Sequence, residues 1–148
     1  MTETMTEADL IADLLDRDTD TRLMVIRREC VRLVDNLKTG LLLTLITLYY
    51  LHAKAGGTAL VQYASHLWVA NTQEEWIRGS CLSAYGYRRA LKALRDKRLV
   101  EVKFITSAAA RQIYIRLLDP AIIDQLLLAA AKLLALLESA EYQTGRYQ

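Results

Sequence analysis

The sequence predicts a mainly α-helical domain of the α+β class, with one small β-hairpin near its C-terminal end. Hydrophobic residues make up 53% of the 148 residues and charged residues 24%, proportions typical of a folded globular chain rather than a disordered one. The chain has only one proline and six glycines, which favours long helices. Two stretches of alternating apolar and polar residues, 99–105 and 112–117, predict the strands of the hairpin, joined by a turn at 106–110.

The N-terminal residues predict a short acidic helix. Thr6, with Asp9 three residues later, is typical of a helix N-cap, and leucine and isoleucine recur at helical spacing over 7–17. Residues 1–20 carry seven acidic side chains against one arginine. We therefore expect residues 1–20 to form an acidic N-terminal helix or arm.

Two further helices are predicted in the first third of the chain. We expect one over 22–38, capped by Asp20 or Thr21, with Gly40 marking a break or a tight join after it. The next helix, 41–54, is apolar on nearly every side. Such a helix is expected at the centre of the core.

The segment after this central helix has no clear periodicity. Residues 58–66 fit either a short helix or an ordered loop, and Trp68 with Val69 fits one short strand. We expect the indoles of Trp68 and Trp76 to serve in packing rather than in stacking on bases.

Two capped helices separated by a short turn precede the predicted hairpin. Thr72 is expected to cap a short helix over 73–78, residues 79–82 to form a turn, and Ser83 to cap a longer helix that ends near Lys97. The apolar residues of the longer helix recur at helical spacing and predict its buried side: Tyr87, Ala90, Leu91 and Leu94.

The last helix is expected to begin at Asp119-Pro120, since proline is tolerated at the first helical position. Residues 121–137 are apolar on nearly every face, and such a helix exposed on a monomer would leave a large apolar surface. We therefore expect a homodimer that forms through 22–38 and/or 121–137. In this interpretation residues 119–140 are a dimerisation helix and residues 141–148 a disordered tail.

The charges are unevenly distributed along the chain. Residues 72–116 carry ten basic side chains against four acidic ones, although the formal net charge of the whole chain is only +2. A local basic field of this kind favours binding to a polyanion such as a nucleic acid.

The two capped helices and the hairpin resemble a known family. Residues Leu82–Val102, LSAYGYRRALKALRDKRLVEV, resemble the recognition-helix signature of winged helix-turn-helix DNA-binding proteins. Residues Leu41–Lys54 and Trp68–Phe104 are similar to winged helix proteins of phages, plasmids and other mobile elements. The resemblance implies a winged helix-turn-helix domain over 21–118 that binds double-stranded DNA with recognition helix 83–97 in the major groove. It also implies a role as a transcriptional regulator or as a replication or partition factor.

The resemblance implies a role for each exposed side chain of this region. Arg88 or Arg89 is expected to bind a guanine in bidentate fashion, and Tyr85 to pack on a thymine methyl group or bond a phosphate. Four further cations, Lys92, Arg95, Arg78 and Arg111, are expected to contact phosphates. The full expected DNA-binding set is Ser83, Tyr85, Arg88, Arg89, Lys92, Arg95, Arg78 and Arg111.

The chain departs from the family pattern at three places. Arg98 stands where glycine usually follows the recognition helix, so we expect a different helix exit. Residues 107–110 lack the basic and glycine residues common at a wing tip, which argues against deep insertion of the wing into the minor groove. Ala84, Tyr85 and Gly86 stand where polar base-reading side chains often lie, so direct readout is expected to be modest.

Enzymatic, metal and membrane functions have little basis in the sequence. No Gly-rich phosphate loop, His-Glu-x-x-His or Cys-x-x-Cys pattern is present, and the positions of His52, His66, Cys30 and Cys81 match no zinc spacing. We expect no enzyme activity, no cofactor and no metal. The scarce cysteines, the absence of a secretory leader and the lack of a long apolar span favour a cytoplasmic protein.

Two other interpretations stay open. The helix–winged helix–helix plan also resembles regulators of the multiple-antibiotic-resistance type, although their Asp-Arg-Arg wing signature is missing. The alternative function is a winged helix that serves only as a protein–protein interaction module. A further hypothesis is that the acidic residues 1–20 shield the basic face when DNA is absent.

Overall fold

A computed structural model describes residues 5–57, 59–107 and 110–145, with the backbone alone for 141–145. This part of the chain is mainly helical and contains a small antiparallel sheet of four strands. The elements follow one another as α1 (Glu7–Leu15), α2 (Thr19–Val34), α3 (Leu37–Lys54), β1 (Leu60–Tyr63), β2 (His66–Asn71), α4 (Gln73–Ser80), α5 (Ala84–Asp96), β3 (Val100–Thr106), β4 (Arg111–Leu117) and α6 (Ile122–Gly145).

The strands lie in the order β1-β2-β4-β3, and every neighbouring pair is antiparallel. The predicted hairpin is confirmed as β3 and β4, which pair from Val100 with Leu117 to Thr106 with Arg111. Of the residues predicted as its turn, 108 and 109 lie outside the described residues.

A second hairpin, β1–β2, was not expected from the sequence. The prediction of a helix or loop over 58–66 is wrong for residues 60–66, and the strand at Trp68 is longer than the sequence indicated. Ala64 and Ser65 make the turn with φ of 49° and 67°. Two consecutive positive φ values match the twist that a two-residue hairpin turn requires, although neither residue is one that favours this conformation.

The helix predicted over 22–38 runs from Thr19 to Val34, and residues 37–38 belong to the next helix. Asp35 takes the left-handed conformation, with φ of 53°, directly after α2 ends. Asn36 then caps α3, because its side-chain oxygen accepts a hydrogen bond of 3.0 Å from the backbone N–H of Thr39. The break therefore lies at residues 35–36 and not at Gly40.

Gly40 lies inside α3, where α2 and α3 approach each other closely. A Cβ atom at this position would lie 2.5 Å from the Cα of Val31, so only glycine permits this crossing. The cap of α2 also differs from the prediction: the side chain of Asp18, rather than Asp20 or Thr21, accepts from the N–H of Thr21.

The central position of α3 is confirmed. It packs against α2 on one side and against α4 and α5 on another, and most of its length is buried. Hydrogen bonds tie the helices to the sheet, since the Tyr50 hydroxyl accepts from the N–H of Leu117 at 2.8 Å. The indole N–H of Trp76 likewise donates to the carbonyl of Ile113 at 3.0 Å.

The caps predicted at Thr72 and Ser83 are confirmed, but the connection between α4 and α5 is shorter than expected. Residues 79 and 80 are helical, and only Cys81, with φ of 59°, turns the chain before Leu82. The exit from α5 keeps the left-handed backbone that glycine usually supplies, so the different exit expected from the sequence is not found. Arg98 adopts this conformation itself, with φ of 57°.

The C-terminal helix α6 extends beyond the predicted end at 137 and includes residues 141–145, which were predicted to be disordered. Its apolar side is buried by α1 and α2 of the same chain. The buried part of α6 therefore needs no partner subunit, and the dimer predicted from its apolar character loses that argument. None of the described helices combines the length and hydropathy that a membrane span requires.

The acidic N-terminal helix is part of the folded body. Leu14 is fully buried, and α1 packs on α6. Arg17 pairs with Glu138 of α6, and Lys132 of α6 pairs with Glu7 at 3.6 Å. These contacts dock α1 on α6 and give no support to its proposed role as a shield for the basic face.

Tyr87 of α5 carries the one buried side-chain oxygen without a hydrogen-bond partner within the described residues. Burial raises the pKa of its phenol to about 12. The hydroxyl is therefore desolvated without compensation, whereas the hydroxyl of the similarly buried Tyr50 is bonded.

We expect Tyr87→Phe to raise the free energy of unfolding at neutral pH by about 1 kcal/mol, because it removes an unpaired buried hydroxyl. The matched variant Tyr50→Phe should lower it by about 1–2 kcal/mol, because it leaves the Leu117 N–H unpaired. An unfolded tyrosine ionises near pH 10, so Tyr87 makes the native protein lose stability as the pH rises from about 10 towards 12. Urea unfolding of the three proteins from pH 7 to 11 checks both effects. A loss of stability in Tyr87→Phe as large as in Tyr50→Phe would contradict this account.

Candidate nucleic-acid interface

Helix α5 presents one exposed stripe of polar and basic side chains. Its opposite side, formed by Tyr87, Ala90, Leu91 and Leu94 as predicted, is buried. Because residues three or four apart share a helix face, the exposed side chains form a continuous row along the helix. This row consists of Tyr85, Arg88, Arg89, Lys92 and Arg95.

The start of α5 is fixed by a cap. The hydroxyl oxygen of Ser83 accepts a hydrogen bond of 3.0 Å from the N–H of Gly86. This oxygen therefore caps the helix, and the hydroxyl proton of Ser83 can donate a hydrogen bond to an external acceptor. Tyr85 follows with 61% of its surface exposed, so it does not belong to the edge of the core.

Two cations of the row have partners within α5 itself. The guanidinium of Arg89 donates to the Tyr85 hydroxyl at 3.2 Å and lies 5.6 Å from the centre of its ring. The ammonium group of Lys92 pairs with Asp96 at 2.7 Å, and both side chains are largely exposed. An exposed pair of this kind is worth little free energy, so Lys92 can exchange Asp96 for a phosphate.

The side chains of Arg88 and Arg95 form no hydrogen bond, ion pair or ring contact with any residue that the structure describes. Both are exposed on α5: Arg88 lies in its second turn and Arg95 in its last turn. Their charges are therefore uncompensated, and they give the row its net positive field.

Two of the residues expected to contact DNA lie outside α5, one on α4 and one on β4. Arg78 is exposed in the last turn of α4. Arg111 is exposed at the start of β4, and its guanidinium lies 5.0 Å from the ring centre of Phe104 on β3. Because side chains alternate along a strand, Arg111 shares the face of Ile113, the side of the hairpin that packs on the helices.

A cleft of about 470 Å³ separates the start of α5 from the start of α3. Tyr85 and Arg89 line one side of it, and Asn36 and Lys38 line the other. The Cδ of Lys38 lies 3.7 Å from the position of a Cβ on Gly86, an ordinary van der Waals distance, so Lys38 lies directly beside the first turn of α5. Lys38 is not among the DNA-contacting residues expected from the sequence, because the sequence predicted it at the end of a helix instead of in the first turn of α3.

Two cations of the basic residues 72–116 pack on the face of the sheet that points away from the helices. Trp68 is fully buried there, although it is not part of the main core. Lys103 and Arg116 lie 5.9 Å and 5.4 Å from its ring, and Tyr63 and Tyr114 pack at its edges. The packing role expected for Trp68 is confirmed, and these two cations are not available to the α5 row.

Within the described residues, no three His, Cys, Asp or Glu side chains come together as a metal site would require. Cys30 is buried near the hydroxyl of Thr47, and burial raises the pKa of its thiol. Cys81 is exposed in the turn before α5.

The chain was compared with protein-family models, with curated proteins and with solved structures. None of the three comparisons finds a match. The resemblance to winged helix proteins therefore rests on the residues of α5 and its neighbours.

Proposed function

We propose that this chain is a winged helix protein that binds double-stranded DNA by inserting α5 into the major groove. The observation that carries the proposal is the exposed row of α5, in which the side chains of Arg88 and Arg95 have no partner among the described residues. A row of donors on a helix with a fixed start matches the width and the chemistry of the major groove.

The arrangement around α5 supports this proposal. A short helix, α4, precedes α5 after a tight turn, and the β3–β4 hairpin follows it directly. In a winged helix the preceding helix braces the recognition helix and the hairpin lies beside it against the DNA backbone. The strand order β2-β4-β3 is compatible with that plan, and β1 adds one strand at the edge.

The contacts divide into base readout and phosphate contacts. Arg88 and Arg89 lie in the first turns of α5, where a helix end reaches base edges, and Tyr85 holds Arg89 in a defined orientation. Donors on Ser83, Lys92 and Arg95 suit phosphates on either side of the groove. Arg78 and Arg111 extend the same field to α4 and the hairpin.

The biological output that fits such a protein is transcriptional regulation, replication or partition. All three need a protein that recognises DNA without acting on it chemically. The alternative, a winged helix that docks only to another protein, predicts no affinity for DNA at any salt concentration.

We expect Arg88→Ala/Arg89→Ala to weaken binding to a labelled random duplex by at least about tenfold, because two donors to bases or phosphates are lost. The slope of log K against log salt should become shallower by up to about 2. Fluorescence anisotropy at several salt concentrations measures both. The control is Lys97→Ala/Arg98→Gly at the far end of α5, which removes the same charge and places glycine at a position with φ of 57°.

The control should bind almost as wild type does. Equal losses in both double variants would mean that net charge alone drives binding. If wild type fails to bind at low salt, the chain is a protein-docking module.

We expect Lys38→Ala to weaken DNA binding by a similar factor for every sequence and to lower the salt slope by about 1, because Lys38 faces the cleft beside α5 and adds a phosphate contact. Lys54→Ala, at the other end of the same helix, is the matched control, since Lys54 pairs with Asp124. The same anisotropy titrations decide the point. An unchanged salt slope in Lys38→Ala would remove this residue from the interface.

A further inference from the structure

A second surface of the molecule, on α2 and α6, carries both apolar and charged features that can complement one another. A groove of about 490 Å³ runs between the two helices, and Leu126 and Ala129 form part of its apolar wall. Leu33 of α2 lines the same groove and is 48% exposed, so it projects from the surface beside the groove. A projecting apolar side chain thus lies next to a groove that is apolar in part, with Glu29, Arg32 and Gln125 as its polar lining.

Glu29 lines this groove with a carboxylate that is nearly buried. Its side chain is only 8% exposed, and the nearest cation among the described residues, Arg32, lies 3.8 Å away, beyond hydrogen-bond distance. A carboxylate can accept several hydrogen bonds, and this ion pair is too long to supply one. The Glu29 oxygens can therefore accept from a further donor that approaches the groove.

A hydrogen-bond donor for such a carboxylate, Arg32, lies one turn further along the same helix. The Arg32 side chain is 84% exposed and projects from α2 next to Leu33. One patch thus carries a projecting apolar side chain, a partly apolar groove, an exposed guanidinium and a recessed carboxylate. A two-fold axis brings each such feature opposite its complement, since in an isologous interface residue i contacts j and j contacts i.

We propose that this patch is a homodimer interface in which Leu33 inserts into the groove of a second copy and Arg32 bonds Glu29 of the partner subunit. A foreign partner would have to supply both the donor and the apolar knob, whereas a second copy already has both. The proposal does not depend on DNA binding. It assigns the dimer to α2 together with the start of α6, rather than to the buried side of α6.

Sedimentation equilibrium of the full chain without DNA tests the proposal. Wild type should sediment as a dimer, and Arg32→Glu should weaken the dimer at least about tenfold, because two carboxylates then meet at each contact. Arg27→Glu is the matched control, because Arg27 is exposed on α2 away from Glu29 and Arg32. It should dimerise as wild type does.

A mixture of the Arg32→Glu and Glu29→Lys variants gives a more specific test of the contact. Each variant alone places like charges across the axis, but in the mixed dimer both contacts pair opposite charges. The mixture should therefore recover dimers that neither variant forms alone. If Glu29→Lys loses its helical circular dichroism, the comparison of Arg32→Glu with Arg27→Glu decides alone. A monomeric wild type, or a dimer unaffected by Arg32→Glu, overturns the proposal.

Discussion

The structure depends on the packing of α3 in the middle of the chain. Helix α2 can cross it closely only because Gly40 leaves room for the backbone at Val31, where a Cβ would lie 2.5 Å from a Cα. The opposite side of α3 supports α4 and α5, and the Tyr50 hydroxyl joins it to the N–H of Leu117 on β4. The positions of α2, of α4 and α5, and of the sheet therefore all depend on contacts with α3.

The candidate interface follows from the same constraint. Because the apolar stripe of α5 is buried against α3 and the core, the basic row must face outwards. The cap at Ser83 and the left-handed Arg98 define where α5 starts and ends. The start of α3 also brings Lys38 beside α5, at a distance in sequence that no local pattern reveals.

Local signals in the sequence predicted much of this arrangement. The caps at Thr6, Thr72 and Ser83, the buried stripe of α5 and the β3–β4 hairpin depend on residues close to one another in the chain. The errors concern features decided by distant contacts. Residues 60–63 form a strand because β2 offers them a pairing edge, and the apolar side of α6 is covered by α1 and α2 rather than by a second subunit. The break at Asp35 was missed because a left-handed aspartate leaves the apolar periodicity on both sides intact.

The central claim is that α5 is the element that meets DNA. The most direct test is the change in backbone amide ¹H–¹⁵N shifts when a short random duplex is added to the isotope-labelled protein. The account predicts that the largest changes fall on residues 83–92, with smaller ones at Lys38 and Arg111 and almost none in α1. Changes concentrated on α2 and α6, or no changes at low salt, would contradict it.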